Sequence, residues 1–185
     1  MKRSIPLARA QRFADAVLDE LAPACERIII AGSIRRKVPT VGDVELVAVP
    51  RGAPRDLLGD RTTGPNDLDR LVDALVERGR LRLRRDEDGR TRAGPRFKAL
   101  ESSGGEIALD LFVVLPPASW GAIVAIRTGP ADFARRLVTS ALERQRRVRG
   151  GHVEAEGEQV IPTPEERDFF REVGIPWVDP ARRFG

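Results

Sequence analysis

The sequence predicts an α+β fold in two parts divided near Pro116-Pro117, on three observations. Short apolar runs at 27–30, 43–50 and 106–115 read as strands. Stretches at 7–22, 66–78 and 130–147 carry apolar residues at helical spacing instead. The double proline then separates a strand-bearing first part from a second part dominated by helix. At 185 residues the chain has room for one domain or two small ones. A hydrophobic content of 41% beside 32% charged residues rules out wholesale disorder. No apolar run is long enough to cross a bilayer, and MKRSIPLARAQRF lacks the apolar stretch of a signal peptide. The single Cys25 cannot close an internal disulfide, which fits a cytoplasmic location, and a monomer is expected.

Each element has a local reason. Ile5-Pro6 leads into a helix with Phe13, Val17 and Leu21 on one stripe, Ala14 and Leu18 beside them, and Pro23 as its stop. Arg27–Ile30 is a short strand, Ala31-Gly32-Ser33 a turn, and a second strand begins near Asp43. Residues 51–65 are rich in Gly, Pro and Thr and read as a loop. Asn66-Asp67 caps a helix striped with Leu68, Leu71, Val72, Leu75 and Val76, and Gly79 closes it. Leu81–Arg84 alternates as a half-exposed strand, with Asp88-Gly89 as its hairpin turn. Glu106–Leu115 is another strand. Pro130–Arg147 is a basic helix carrying Phe133, Leu137 and Leu142, and Gly150-Gly151 breaks it. Thr163-Pro164-Glu165-Glu166 reads as a capping box opening a helix that ends at Gly174.

The net charge of +4 is unevenly spread. Nine cations crowd 78–98, and a second group spans Arg127, Arg135, Arg136, Arg144, Arg146, Arg147 and Arg149. Two basic blocks suit a polyanionic partner. An arginine-rich composition accounts for them equally well, so charge alone decides nothing.

The carboxylates are more informative. Strand side chains alternate, so Asp43 and Glu45 share a face, about 6–7 Å apart, while Val44, Leu46 and Ala48 take the other. Val47 and Val49 continue the acidic face as apolar, so the strand is buried on both sides beyond its start. Two neighbouring acids there repel each other and lose solvation. An exposed strand edge would explain the pair without chemistry. Asp110 shifts the balance, because it lies within IALDLFVVL and no cation precedes it closely. Three carboxylates from two strands suit a pair of Mg²⁺ ions, which take oxygen ligands and bind substrate phosphates. Gly32-Ser33 offers backbone N–H groups and a hydroxyl for a phosphate, Arg36 adds charge, and Gly42 permits close approach.

Gly32-Ser-Ile-Arg-Arg36, then Gly42-Asp-Val-Glu45, resembles the nucleotidyltransferase signature of the family X DNA polymerases, the group containing DNA polymerase beta. Asp110 matches that family's third metal-binding aspartate. Trp120-Gly121 through Arg127-Thr-Gly-Pro-Ala-Asp-Phe133 resembles its Thr-Gly turn and following helix. Pro164–Phe170 and Gly174–Arg183 resemble the end of such polymerases. The resemblance implies a nucleotidyltransferase fold, with a mixed-sheet palm over 1–116 and a small thumb over 117–185.

It also implies template-directed addition of dNTPs to a primer 3′-hydroxyl in gapped DNA or a primer–template, a repair synthesis. Two Mg²⁺ ions serve the site, with Mn²⁺ as a substitute. Asp43, Glu45 and Asp110 are then the catalytic metal ligands. Gly32, Ser33, Arg36 and Gly42 hold the β- and γ-phosphates, Thr128 and Gly129 shape the sugar pocket, and Phe133 lies near the incoming nucleotide. Arg127 and Arg135 or Arg136 approach DNA.

Departures from the pattern predict relaxed behaviour. Glu45 replaces an aspartate, and Ile126-Arg127 replaces an aromatic pair that helps to exclude ribose, so rNTPs are expected beside dNTPs. Ala134 and Ser4 replace an asparagine and an arginine, which predicts weaker nucleotide contacts. The chain starts where a palm starts, and Lys2, Lys37 and Lys98 are its only lysines, so no Schiff-base lyase activity is expected. His152 reads as a surface histidine, Cys25 as half-buried packing, Trp120 as hinge packing and Trp177 as thumb core. Two alternatives stand beside the polymerase. One is a nucleotidyltransferase for RNA, a small molecule or a protein; the other is a non-catalytic DNA-binding module.

Overall fold

The computed structural model describes residues 4–52 and 64–184. Most of the loop expected at 51–65 therefore lies outside the described residues, as does Lys2. The fold is α+β. Helix α1 (Leu7–Leu21) follows the short strand β1 (Ile5–Pro6) and buries Ala10, Ala14, Val17 and Leu21, one face of a 3.6-residue repeat. Strand β2 (Cys25–Ile30), the single helical turn α2 (Gly32–Arg35), β3 (Thr40–Val41) and β4 (Val44–Pro50) come next. β3 pairs with β1, which ties the N-terminus beside the turn.

Helix α3 (Asp67–Glu77) starts on a complete capping box: Asn66 Oδ1 accepts from the Asp69 N–H, and Asp69 accepts from the Asn66 N–H. Strands β5 (Leu81–Leu83), β6 (Ala93–Gly94), β7 (Phe97–Ser102) and β8 (Ala108–Val113) complete a six-stranded sheet. Its order is β2-β4-β8-β7-β5, with β6 on β7; β4 and β8 run parallel and the other pairs antiparallel. Asp86–Gly89 does form a turn, but β5 pairs with β7, and across the turn only the bridge Arg85–Thr91 forms. β7 escapes the sequence reading because FKALES sends a lysine inward. Lys98 is buried and ion-paired to Asp69 of α3 at 2.7 Å.

The two sheet faces have different covers. Val44, Leu46, Ala48, Leu109, Leu111 and Val113 pack with α1 and α3. Val47, Phe112 and Val114 pack against Val124 of helix α4 (Trp120–Thr128). The expectation that β4 is buried on both sides holds, and α4 is the second cover. A third cluster joins α4 to helix α5 (Ala131–Glu143) and helix α6 (Glu166–Glu172) through Ala122, Phe133, Leu137, Phe169 and Phe170. Gly121 marks the closest approach there: its N–H donates to the Thr163 carbonyl at 3.0 Å, and a Cβ would strike the Glu165 backbone.

Four expectations for this region are corrected. The helix of 130–147 ends at Glu143; Gln145 takes φ 57°, and Arg147 opens β9 (Arg147–Arg149) of a small sheet with β10 (His152–Glu154) and β11 (Val160–Ile161). Leu142 is exposed, with Ala141 buried in its place. The capping box of α6 is Glu165/Asp168, two residues beyond the one expected, because buried Thr163 bonds Ser119 instead. His152 is also buried, with Nε2 2.7 Å from Glu154 Oε1. Cys25 is fully packed, and burial pushes its thiol up to about 11. Among the described residues no helix is long and apolar enough to cross a membrane.

Candidate active site

Parallel pairing of β4 with β8 sets Glu45 directly opposite Asp110. Both point to one sheet face, and Asp43, just ahead of β4, lies near enough to repel Glu45. Beyond the acids that face turns apolar through Val47 and Phe112, so the carboxylates sit where the floor under α4 opens. The turn after β2 packs on them. Ala31 N–H donates to the Glu45 carbonyl at 2.8 Å, and Gly32 adopts φ 62° with its missing Cβ facing the Glu45 carboxylate. Any side chain at Gly32 would occupy the space Glu45 uses. Burial, then repulsion from Asp43 and Asp110, push Glu45 up to about 7 against the attraction of Arg127 and Arg36.

Two arginines moderate this charge. Arg84 reaches across β7 and donates to Asp110 Oδ1 at 2.5 Å. The sequence reading found no cation near Asp110; the partner is 26 residues earlier and arrives only through the sheet. Arg127 stacks on Phe112 with its guanidinium carbon 3.9 Å from the ring centre. Burial lowers its pKa, while Glu45 and Asp110 act to raise it. Among the described residues, no three of His, Cys, Asp and Glu are gathered closely enough to hold a metal as they stand. The donor set still suits a hard divalent cation: oxygen ligands, mutual repulsion that a cation relieves, and a glycine leaving room for Glu45.

The neighbouring turn is tied to the C-terminal part. Arg36 donates to the Thr128 carbonyl at 2.6 Å, and Arg35 donates to Thr128 Oγ1 at 2.7 Å. Arg35 also grips Glu166 with both nitrogens at 2.9 Å, and Glu166 accepts from Arg183 at 2.7 Å. Burial works to raise the Glu166 pKa, but hydrogen bonds from Arg35 and Arg183 outweigh it and hold the carboxyl below its ordinary range. Trp177 donates its indole N–H to the same carboxylate at 3.2 Å. Arg35, Arg84, Glu166 and Arg183 were not singled out from the sequence. Nothing in their local spacing signals the long-range partners they find.

The other expected residues divide. Ser33 is half-buried and Gly42 exposed beside the acids. Thr128 is fully buried, with both oxygens taken by Arg35 and Arg36. Phe133 is buried as well, packed in the α4–α5–α6 core with Arg136 and Arg183 over its ring. Both therefore lie inside the molecule, away from an open pocket. Gly129 adjoins Phe133, which a Cβ there would strike at 2.6 Å. Arg135 is exposed and pairs with Asp132, while Arg136 donates to the Phe184 carbonyl.

Against known families, residues 123–184 match the DNA polymerase beta thumb. The matched segment runs from within α4 through α6 to Phe184, so it carries Arg127, Thr128, Phe133, Glu166 and Arg183 but none of the three carboxylates. No curated protein matches the chain. The thumb match supports a relationship to family X polymerases and, through it, a DNA-binding, polymerase-like character.

Proposed function

We propose that the protein is a DNA-directed nucleotidyltransferase of the family X polymerase type, extending a primer 3′-hydroxyl at short gaps. The observation that carries this reading is the register that opposes Glu45 to Asp110, with Asp43 and the Gly32 turn beside them, in a chain whose C-terminal third matches a polymerase thumb. Asp43, Glu45 and Asp110 would hold two Mg²⁺ ions, or Mn²⁺ in their place, and bound metal would activate the 3′-hydroxyl and neutralise the triphosphate. In the transfer the 3′-oxygen bonds the α-phosphorus, the bond to the bridging oxygen breaks, pyrophosphate leaves and the hydroxyl proton passes to solvent.

Ser33, Gly42 and the N–H groups of the Gly32 turn bind the β- and γ-phosphates, and Arg36 holds the turn against Thr128 while adding positive potential. Thr128, Gly129 and Phe133 shape the nucleotide site from behind, as the packed turn between α4 and α5. Arg127, in the place of an aromatic residue, leaves the sugar pocket tolerant of rNTPs as well as dNTPs.

A one-nucleotide-gapped primer–template, offered each dNTP or rNTP with Mg²⁺ or Mn²⁺, tests this. Extension by the templated nucleotide is expected, and its loss in Asp110→Ala by at least about 10²-fold. Intact DNA binding without extension in either metal would defeat it. One observation favours a second reading: Arg84 donates to Asp110, and Arg127 interacts electrostatically with both Glu45 and Asp110. On that reading the protein is a DNA-binding module in which those ion pairs are permanent.

A further inference from the structure

The sheet ends in β2 on one side and β5 on the other, and the two edges are built differently. β5 is three residues long and set among Arg80, Arg82 and Arg84, short and charged as protected edge strands are. β2 is six residues long and finishes in Ile28-Ile29-Ile30, all half-buried, with no proline or lysine in it. Its one cation, Arg27, is committed elsewhere. It grips Glu165 with both nitrogens, at 2.8 and 2.9 Å, and lies over Trp120 at 4.3 Å.

The inner ladder fixes which backbone groups of β2 are left over. Pairs in an antiparallel ladder alternate between bonded and non-bonded, and Ala31 N–H donates to the Glu45 carbonyl. Counting back, Ile29–Val47 is a bonded pair, while Ile30–Leu46 and Ile28–Ala48 are not. The Ala48 carbonyl confirms this phase, because it accepts from Val114 on the β8 side. Ile28 and Ile30 therefore turn N–H and C=O outward. Among the described residues no hydrogen-bonding partner meets them there.

We propose that β2 pairs antiparallel with β2 of a second copy of this chain, about a two-fold axis at Ile29, in place of the monomer expected from the sequence. Register selects this occupant. With Ile29 on the axis, Ile28 of each copy stands opposite Ile30 of the other, and each such pair exchanges both backbone bonds. Ile29 then meets its own counterpart as a non-bonded pair, the arrangement that brings side chains closest. Arg27 falls opposite Ala31, so no like charges face each other. Moving the axis to Ile28 would require Glu26 as a bonding partner, where the ladder shifts register between Cys25 and Arg27. Moving it to Ile30 would set Ile28 opposite Gly32, where the chain has turned away at φ 62°. The isoleucine run thus satisfies a copy of itself in one register.

Six residues of edge bury less than the roughly 1,200 Å² of a stable interface, so the dimer depends on concentration. Because β2 runs straight into the Gly32 turn, the two candidate sites lie on either side of the axis. The inference does not rest on the proposed function.

Sedimentation equilibrium of the full chain tests it, with a mass expected to rise from one chain towards two across a concentration series. Ile28→Pro removes an outward N–H and spares the inner ladder, so it should stay a single chain throughout. Ile29→Cys sets two thiols across the axis at a Cα separation of about 4.5 Å, within reach of a disulfide. Oxidation with diamide should link most of that variant into pairs. It should link little of Ile28→Cys, whose thiol stands opposite Ile30, or of the parent, whose Cys25 is buried. Thermal melting by circular dichroism checks that each variant folds. Equal linking of Ile28→Cys and Ile29→Cys, or a dimer whose Ile29→Cys form does not link, would overturn the pairing. A single-chain mass at every concentration without that link would overturn it too, and leave the edge to a strand of another protein.

Discussion

Two carboxylates of this chain, Glu166 buried and Glu45 half-buried, lie beside arginines, yet they are driven in opposite directions. Glu166 accepts from both Arg35 and Arg183 and is held below the ordinary carboxylate range. Glu45 has arginines near it but also two acids, and it rises to about 7. The difference lies in partner count rather than depth. One anion between two cations is a brace; in the other cluster Asp43, Glu45 and Asp110 repel one another beside Arg36, Arg84 and Arg127. The first arrangement locks α2 to α6.

Breaking the brace should have the largest effect. Glu166→Gln strands Arg183, whose side chain is fully enclosed, without a counter-ion. The expected loss is about 3–5 kcal/mol, read by urea or thermal unfolding at pH 7. Because the folded Glu166 pKa lies below its unfolded value, this stability is complete above that unfolded value of 4.5 and fades as pH falls through the folded one. The gap between variant and parent should therefore narrow in acid. A variant as stable as the parent at pH 7 would mean the brace is replaceable by water.

Glu45→Gln should act with the opposite sign. A folded pKa of about 7 against an ordinary 4.5 means that ionised Glu45 destabilises the fold, by roughly 3 kcal/mol at most. The penalty is absent below 4.5, grows as pH rises and is complete above about 7. The variant should thus exceed its parent in stability above pH 7 in the absence of divalent metal and converge with it towards pH 4.5. No difference at high pH would mean that Glu45 is better compensated than its neighbours suggest.

The comparison also explains what was legible in the sequence. α1 and α3 follow from apolar spacing and from Asn66, because helix signals are local. That Asp43 lies close to Glu45 follows from their spacing alone, although β4 begins only at Val44. That Asp110 stands opposite Glu45 does not, since it depends on parallel pairing of strands over 60 residues apart in the chain. Arg35 and Glu166 are separated by 131 positions, and no local pattern couples them. His152 was misread for a related reason: a histidine after Gly-Gly looks exposed until β9 and β11 close around its strand. Local rules find the acids of a site. Its counter-ions come from tertiary structure.

Arg84 gives the smallest effect and the sharpest distinction. Its pair with Asp110 at 2.5 Å is partly open to solvent, with 29% and 19% of the two side chains exposed. Removal in Arg84→Ala should cost only about 1 kcal/mol. Its value lies in the response to Mg²⁺. If Arg84 and a cation share the Asp110 carboxylate, freeing Oδ1 tightens cation binding, and the Tm increase on adding Mg²⁺ should be larger in the variant. If Arg84 instead orients Asp110 for the cation, the increase should shrink. A Tm indifferent to Mg²⁺ in both proteins would show that the acids take no metal without substrate. The acid cluster and the Glu166 brace would then differ only in how many arginines each has been given.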